Sequence, residues 1–297
     1  MHDIKIETFI AVCNCMNFTH AAENLNMTQP AVSKQMKILE EYYNVKLFKY
    51  EGKKMFLTNE GKKLLKYAKA IIADEKKLLK DLQFKDKKIL CFGSTPTPGE
   101  FIIPKYLKTY LEKNNISNVN MYINNTEILL SKLDFGEIDF AIVEGNFEKS
   151  NYEYLCFSKQ TYFPVCSNTI NINCNSIENI INKTLILREK GSGNREILEH
   201  ILKRHNISIN DFKSKIEVNN ISAQKSLVIN GCGIAFLFEA IISEEIKNKI
   251  IKKIDINGFH LEHEINFIWR KNSVFRNDYL KIFNYFYNIL KKQKKDC

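Results

Sequence analysis

Much of what would mark an enzyme, a membrane protein or a metal protein is missing from this sequence. It holds no G-x-S-x-G, P-loop or H-E-x-x-H segment, so the chemistries those segments serve have nothing to run on, and no enzyme is expected. No run of about 18 apolar residues occurs, so neither a membrane-spanning helix nor a membrane partner is expected. The first 20 residues scatter charged and polar groups among short apolar pairs, unlike a signal peptide, and a cytoplasmic location is the expectation. Eight cysteines, at 13, 15, 91, 156, 166, 174, 232 and 297, include no C-x-x-C and no Cys/His cluster at zinc spacing. They read as reduced thiols used as small hydrophobes, with no metal and no other cofactor. Thiol sensing through Cys91 or Cys166 would require a lowered pKa, which spacing does not reveal. Arginine is scarce, with five against 39 lysines, and no internal repeat is evident.

What is present starts with length and charge. A chain of 297 residues is too long for one ordinary core and points to two or three domains. Residues 1–88 hold 17 Lys and 11 acidic residues, a net of +6, whereas the rest of the chain carries +4. A local basic excess points to a polyanion, although a generally lysine-rich composition produces the same signal.

Three short helices come first. "IETFIAVC" (6–13) sets Ile6, Phe9, Ile10 and Cys13 on one face, and "FTHAAENLN" (18–26) starts at a candidate cap, Thr19, with Ala21, Ala22 and Leu25 inward. The third runs from a Thr28 cap through Pro30 in its first turn, where a missing N–H does no harm, to Asn44 as a left-handed stop. "VKLF" and "KMFL" around "KYEGKK" form a small β-wing. Residues 58–83 make one long helix capped by Thr58. On it Leu64, Ala68, Ile71, Glu75, Leu78 and Leu82 fall at spacings 4-3-4-3-4, a period of 3.5 that suits a second copy of the same helix. The dimerisation residues are therefore Leu64, Ala68, Ile71, Leu78 and Leu82, with packing inside one chain as the alternative. "FKDKK" (84–88) reads as a linker, after which strand-like and helical segments alternate, as in an α/β fold with mostly parallel sheet.

"ETFIAVCNCMNFTHAAENLNMTQPAVSKQMKILEEYYNVKLF", followed by "LTNEG", resembles nearly end to end the DNA-binding signature of the LysR-type transcriptional regulators. "GSTPTPGEFIIP", "EIDFAIVEG" and "LREKGSGNRE" resemble that family's effector domain more loosely, the last being most like regulators of sulfur and cysteine metabolism. Departures are Lys49 and Tyr50, where the family has an acid and an arginine, and Asn44 in place of glycine. The resemblance implies an α+β multidomain chain. A winged helix-turn-helix spans 1–58 and a linker helix and hinge 59–87. A periplasmic-binding-protein-like effector domain follows, its first subdomain built from 88–161 and 268–297 and its second from 162–267.

The partners it implies are double-stranded promoter DNA, a small effector and a second copy of the chain, as homodimer or homotetramer. In a helix-turn-helix the first turns of the second helix enter the major groove. Thr28, Gln29, Pro30, Ser33, Lys34, Gln35 and Lys37 form that tip, and Lys53 and Lys54 on the wing suit phosphates. In open α/β sheets ligands sit at the carboxyl ends of strands beside helix N-termini. Ser94, Thr95 and Thr97, Thr126, and Arg188, Ser192 and Arg195 occupy three such places and together suit a small anion, with ordinary caps and turns as the alternative. Among the histidines, His260 and His263 are three apart near a strand and face opposite ways. The other functional class left open is a small-molecule carrier or enzyme whose basic N-terminal module mediates assembly only.

Overall fold

The computed structural model describes residues 4–83, 88–114, 116–172, 176–256 and 261–293; nearly all of the "FKDKK" linker, His260, Cys174 and Cys297 lie outside these. The head is α1 (Ile4–Cys15), α2 (Phe18–Asn24), α3 (Gln29–Tyr43) and an antiparallel wing, β1 (Phe48–Glu51) and β2 (Lys54–Leu57). Phe9, Val12, Ala21, Val32, Met36, Leu39 and Leu47 fill its core. Asn44 at φ 51° ends α3, and Gly52 at φ +64° turns the wing. The cap of α2 lies earlier than Thr19: Asn17 Oδ1 accepts from the N–H of Thr19 at 2.8 Å and of His20 at 3.2 Å.

The long helix is α4 (Asn59–Gln83), capped by Thr58, whose Oγ1 accepts from the Gly61 N–H at 2.9 Å. Beyond it come β3 (Lys88–Ser94), a π-helical segment Thr97–Ile102, α5 (Pro104–Asn114), β4 (Ile116–Ile123), α6 (Thr126–Asp134), β5 (Phe140–Val143) and β6 (Tyr152–Ser167). The chain continues through β7 (Thr184–Arg188), α7 (Gly193–Arg204), β8 (Ser214–Val218), α8 (Ile221–Ile229) and β9 (Ile234–Phe238). It closes with α9 (Glu239–Lys247), β10 (Ile251–Lys253), β11 (Leu261–Arg270) and α10 (Arg276–Gln293).

The strands run β4-β3-β5-β11-β6-β9-β7-β8, with β10 on the side of β6. The sheet is less parallel than strand–helix alternation suggests. β4-β3-β5 and β9-β7-β8 are parallel, but the central β6 and β11 pair antiparallel with each other and with their neighbours. These two strands link two cores. One holds Phe92, Phe140, Phe157, Phe267, Trp269 and Phe286; the other holds Tyr162, Val165, Leu185, Leu202, Phe236 and Ile242. The chain leaves the first core on β6 between Phe157 and Tyr162 and returns on β11, so the two passes run in opposite directions. Ile265 and Phe267 already lie in the first core, a few residues before the change-over expected at 267–268.

Candidate functional site

The tip of α3 is built locally. Thr28, in extended conformation, caps the helix, its Oγ1 accepting from the Ala31 N–H at 3.4 Å, and Pro30 sits in the first turn. Gln29, Ser33 and Lys37 follow at four-residue spacing on one face, where Gln29 Nε2 donates to Ser33 Oγ at 2.9 Å. They line one wall of a groove of about 530 Å³, with Lys49 and Tyr50 of the wing opposite. Thr28, Pro30 and Lys34 are exposed, as are Lys53 and Lys54 on the wing. Ser33 and Gln35 are both half-buried, but Gln35 alone of the tip residues has a side-chain atom, Oε1, buried without a partner, so it turns toward the head's own core. A hydrogen bond from the Leu47 N–H to Glu40 at 2.8 Å ties the wing to α3.

On α4 the apolar seam divides. Ile71 is 57% exposed, Leu78 49% and Leu82 54%, whereas Ala68 is 1% exposed in the head's core and Leu64 is half-buried beside it. The head therefore takes the first turns of α4, and the free part of the seam begins at Ile71. The opposite, charged face of α4, which in sequence looks solvated, grips the effector domain. Asp74 accepts from Arg270 Nη2 at 2.9 Å, Ser273 Oγ at 2.8 Å and the Val274 N–H at 3.1 Å. Lys69 pairs with Asp134 at 2.8 Å, and Lys77 with Asp139 at 3.2 Å.

The third place is the seam between the two cores, where residues from six elements meet. Ser94 ends β3 and Thr95 follows it. Ser94 Oγ donates to the Thr95 carbonyl at 3.0 Å, and Thr95 Oγ1 accepts from the Glu144 N–H at 3.2 Å. Thr97 follows, fully buried. Thr126 opens α6, whose cap is Asn125, accepting from the Ile128 N–H at 3.0 Å, rather than Thr126 itself. Ser192 precedes α7 with no side-chain cap bond. The halves touch through glycines. A Cβ on Gly193 would lie 3.2 Å from Gly145 Cα and 3.4 Å from Glu144 Cγ, and one on Gly145 would lie 2.3 Å from Thr126 Oγ1. At Gly145 a side chain would displace Thr126, and at Gly193 it would press the halves apart by a few tenths of an ångström. Across the same seam Ser222 Oγ donates to Glu100 at 3.1 Å.

Residues that the sequence reading did not single out stand at the centre of this seam. Glu144 is 3% exposed; His263 Nε2 meets its carbonyl, and Tyr162 Oη donates to the Asn194 carbonyl at 3.2 Å. Burial pushes the Glu144 carboxyl up to about 7, the Thr97 hydroxyl and Arg188 charge opposing it only in part. Burial also holds the His263 imidazole below its ordinary value. Thr97 Oγ1, Thr126 Oγ1, Glu144 Oε2 and Asn194 Nδ2 are buried with no well-formed hydrogen bond.

The arginines differ from their expected role. Arg188 Nε and Nη2 donate to Glu189 at 2.8 and 3.0 Å. Arg195 donates to Glu199 at 2.9 Å and to Glu217 at 2.7 Å. Both cations thus spend their fixed forks on the chain's own carboxylates. The Arg195–Glu199 pair at i,i+4 was visible in the sequence. The thiol reading of Cys91 fares no better: Cys91 is buried and its thiol is pushed up by burial, away from reactivity. Among the described residues no cluster of His, Cys, Asp and Glu could hold a metal, and no helix is long and apolar enough to cross a membrane.

A winged head with an exposed polar helix tip, a long helix and a two-halved α/β domain define a class, the DNA-binding transcriptional regulators with an effector domain. Residues 5–62 match the family model described as bacterial regulatory helix-turn-helix protein, lysR family, and residues 85–277 match LysR substrate binding domain. The chain belongs to the LysR family of transcriptional regulators. It is 29% identical over 295 residues to a probable RuBisCO transcriptional regulator of Phaeodactylum tricornutum, covering 96% of this chain and 95% of that one. It is 27% identical over 273 residues to the HTH-type transcriptional regulator CysL of Bacillus subtilis, covering 89% of each. The crystal structure of ArgP from Mycobacterium tuberculosis has the same fold, with a TM-score of 0.63 at 15% identity over 97% of both chains.

Proposed function

We propose that this regulator reads double-stranded promoter DNA, in the cytoplasm and as a homodimer or homotetramer, under the control of a small effector with an anionic group held between the two halves of its C-terminal domain. The observation that carries the DNA reading is the exposed Gln29–Ser33 pair on a helix start fixed by Thr28 and Pro30. Gln29, Ser33 and Lys37 meet base edges, with Lys34, Lys53 and Lys54 on phosphates. The exposed seam Ile71, Leu78 and Leu82 supports a second copy as its cover. The effector's anionic group goes to the start of α7 at Ser192 and to the Thr97 and Thr126 hydroxyls. Ser94 and Thr95 shape that wall, and Arg188 and Arg195 stiffen the opposite one. The moving parts are the head with the first turns of α4, and two effector halves that meet on β6 between Phe157 and Tyr162 and on β11 before Ile265.

The test is salt-dependent binding to DNA upstream of the chain's own gene, compared with Ile71→Asp. The expected result is a steep fall of log affinity with log salt in the parent. The variant should shift toward monomer in sedimentation and lose tight binding to a two-half-site operator. An unchanged assembly state would return α4 to packing within one chain. An absence of salt-dependent DNA binding would favour a carrier or enzyme with an assembly module.

A further inference from the structure

Glu144 follows β5 directly, so its backbone is fixed by the sheet: its N–H donates to Thr95 Oγ1 and its carbonyl meets His263. The side chain therefore has to enter the seam, where its stem lies against Gly193. A buried carboxylate is normally paired or bound to a cation, because leaving it bare costs the desolvation of a full charge. Here the nearby cation is already engaged, since Arg188 grips Glu189 through two hydrogen bonds and the Asn219 carbonyl through a third. The Thr97 hydroxyl stands against the Glu144 carboxyl without a well-formed hydrogen bond, and the Thr126 hydroxyl and Asn194 Nδ2 at the same seam lack partners. One acid, two hydroxyls and one amide donor make a site with a place for a positive group at one end and for acceptors at the other.

We propose that the effector is a small zwitterion of the amino-acid class, whose cationic nitrogen is received by the Glu144 carboxylate and whose carboxylate lies on Asn194 Nδ2, Thr126 Oγ1 and the first N–H groups of α7. This rests on the effector cleft proposed above and names its ligand chemistry. It also explains why the two arginines are taken up elsewhere: a ligand that brings its own cation needs a carboxylate more than a guanidinium. Since Gly145 and Gly193 are in contact, the halves part to admit the ligand and close on it.

Charge linkage gives the proposal a sign. The titratable and charged groups facing Glu144 are Tyr162 from β6, Arg188 from the end of β7 and His263 from β11. Tyr162 is held neutral by burial, which raises it well above its ordinary value. A cationic nitrogen binds the ionised carboxylate. For a group near 7 the ionised share, and with it the affinity, rises about tenfold between about pH 6 and pH 8. A simple anion would show the opposite slope, since it prefers the protonated acid.

The test is a thermal-shift and calorimetric screen of the full chain with the proteinogenic amino acids, their desamino analogues (propionate for alanine, hexanoate for lysine), sulfate and phosphate. The expected result is a raised midpoint with one or more amino acids and none with the matched desamino acid. Glu144→Gln should lower that affinity at least tenfold and abolish its rise between about pH 6 and pH 8. Glu144→Asp, which keeps the charge, should retain the preference for the amine and so separate loss of charge from loss of fold. Equal shifts by amino and desamino compounds, or an unaltered response in Glu144→Gln, would overturn the proposal. Shifts by sulfate, phosphate or desamino acids alone would overturn it and leave the effector cleft standing, whereas no shift by any compound would remove both.

Discussion

The helix tip of the head and the seam between the effector halves are both polar sites, and they are made in opposite ways. The tip draws Gln29, Ser33 and Lys37 from one helix and leaves them at the surface, where water satisfies them until DNA arrives. The seam draws Thr97, Thr126, Glu144 and Asn194 from separate stretches of chain and buries one polar atom of each with no well-formed hydrogen bond. An exposed site costs nothing to hold empty. A buried one carries a penalty of about 1–3 kcal/mol for each polar group left unsatisfied. Such a site discriminates sharply, because only a ligand that supplies the missing bonds removes the penalty.

The largest expected effect lies at the joint between the two regions. Arg270 is 6% exposed and holds Asp74 while capping the Lys69 and Ala70 carbonyls. Arg270→Ala takes the cation from a half-buried Asp74, which keeps only the Ser273 hydroxyl and the Val274 N–H, and it empties the buried Arg270 site, at a cost of about 3 kcal/mol. Calorimetry should show a lowered midpoint and separate unfolding of head and effector domain. A single transition at the parent midpoint would mean that the joint carries no load.

Next comes the pH dependence of the seam. The Glu144 carboxyl lies near 7 when folded and near 4.5 when unfolded, so the native state holds a proton that the unfolded chain releases. Stability from this group is full below about 4.5 and is lost as pH rises through about 7. Glu144→Gln should therefore stabilise the ligand-free protein by up to about 3 kcal/mol at pH 8 and by little at pH 4.5, measured by denaturant titration. Exposed Lys34→Gln in the head should change stability by less than about 0.5 kcal/mol at either pH. If both variants behave alike, the contrast between buried and exposed sites fails.

The smallest effects belong to the tip. Gln29→Ala or Ser33→Ala should cost about 1–3 kcal/mol of discrimination between operator and mismatched DNA, without moving the effector-induced thermal shift. Lys53→Ala should weaken all sequences alike and flatten the salt slope by about one unit. Binding curves that leave both specificity and slope unaltered would take α3 and the wing out of the DNA interface.

The same contrast decides how much of the molecule could be read from its sequence. The ends of α3 were legible because Thr28, Pro30 and Asn44 act on the backbone beside them. Even so, neighbouring cap-forming residues blur a boundary: Asn17, not Thr19, holds the start of α2, and Asn125, beside Thr126, holds that of α6. The 3.5 period of α4 marked an apolar stripe, but no period shows that Ala68 is spent inside its own head. Asp74 looked like one more surface charge because its partners, Arg270, Ser273 and Val274, lie about 200 residues away. Glu144 is a single acid at the end of an apolar strand, and nothing beside it in sequence announces that three other elements close over it. The arginines misled for a related reason: a glycine-rich turn flanked by cations suits a ligand, but Glu189, Glu199 and Glu217 already hold both guanidinium groups.

Strand β11 begins at Leu261, carries His263 against the Glu144 carbonyl, changes register between Ile265 and Asn266, and ends in Arg270, clamped to α4. Those positions put the cleft and the linker helix on one uninterrupted piece of backbone roughly 23 Å apart. Mechanically it is a push-rod with a joint in its middle. Its far end is bolted to α4, so in the proposed dimer a change of angle at the seam would travel through hydrogen-bonded sheet instead of through loose loops. Ligand size would then be converted into head spacing by the stiffness of a single strand, and a one-residue insertion at its bulge would spoil the signal while leaving both ends intact.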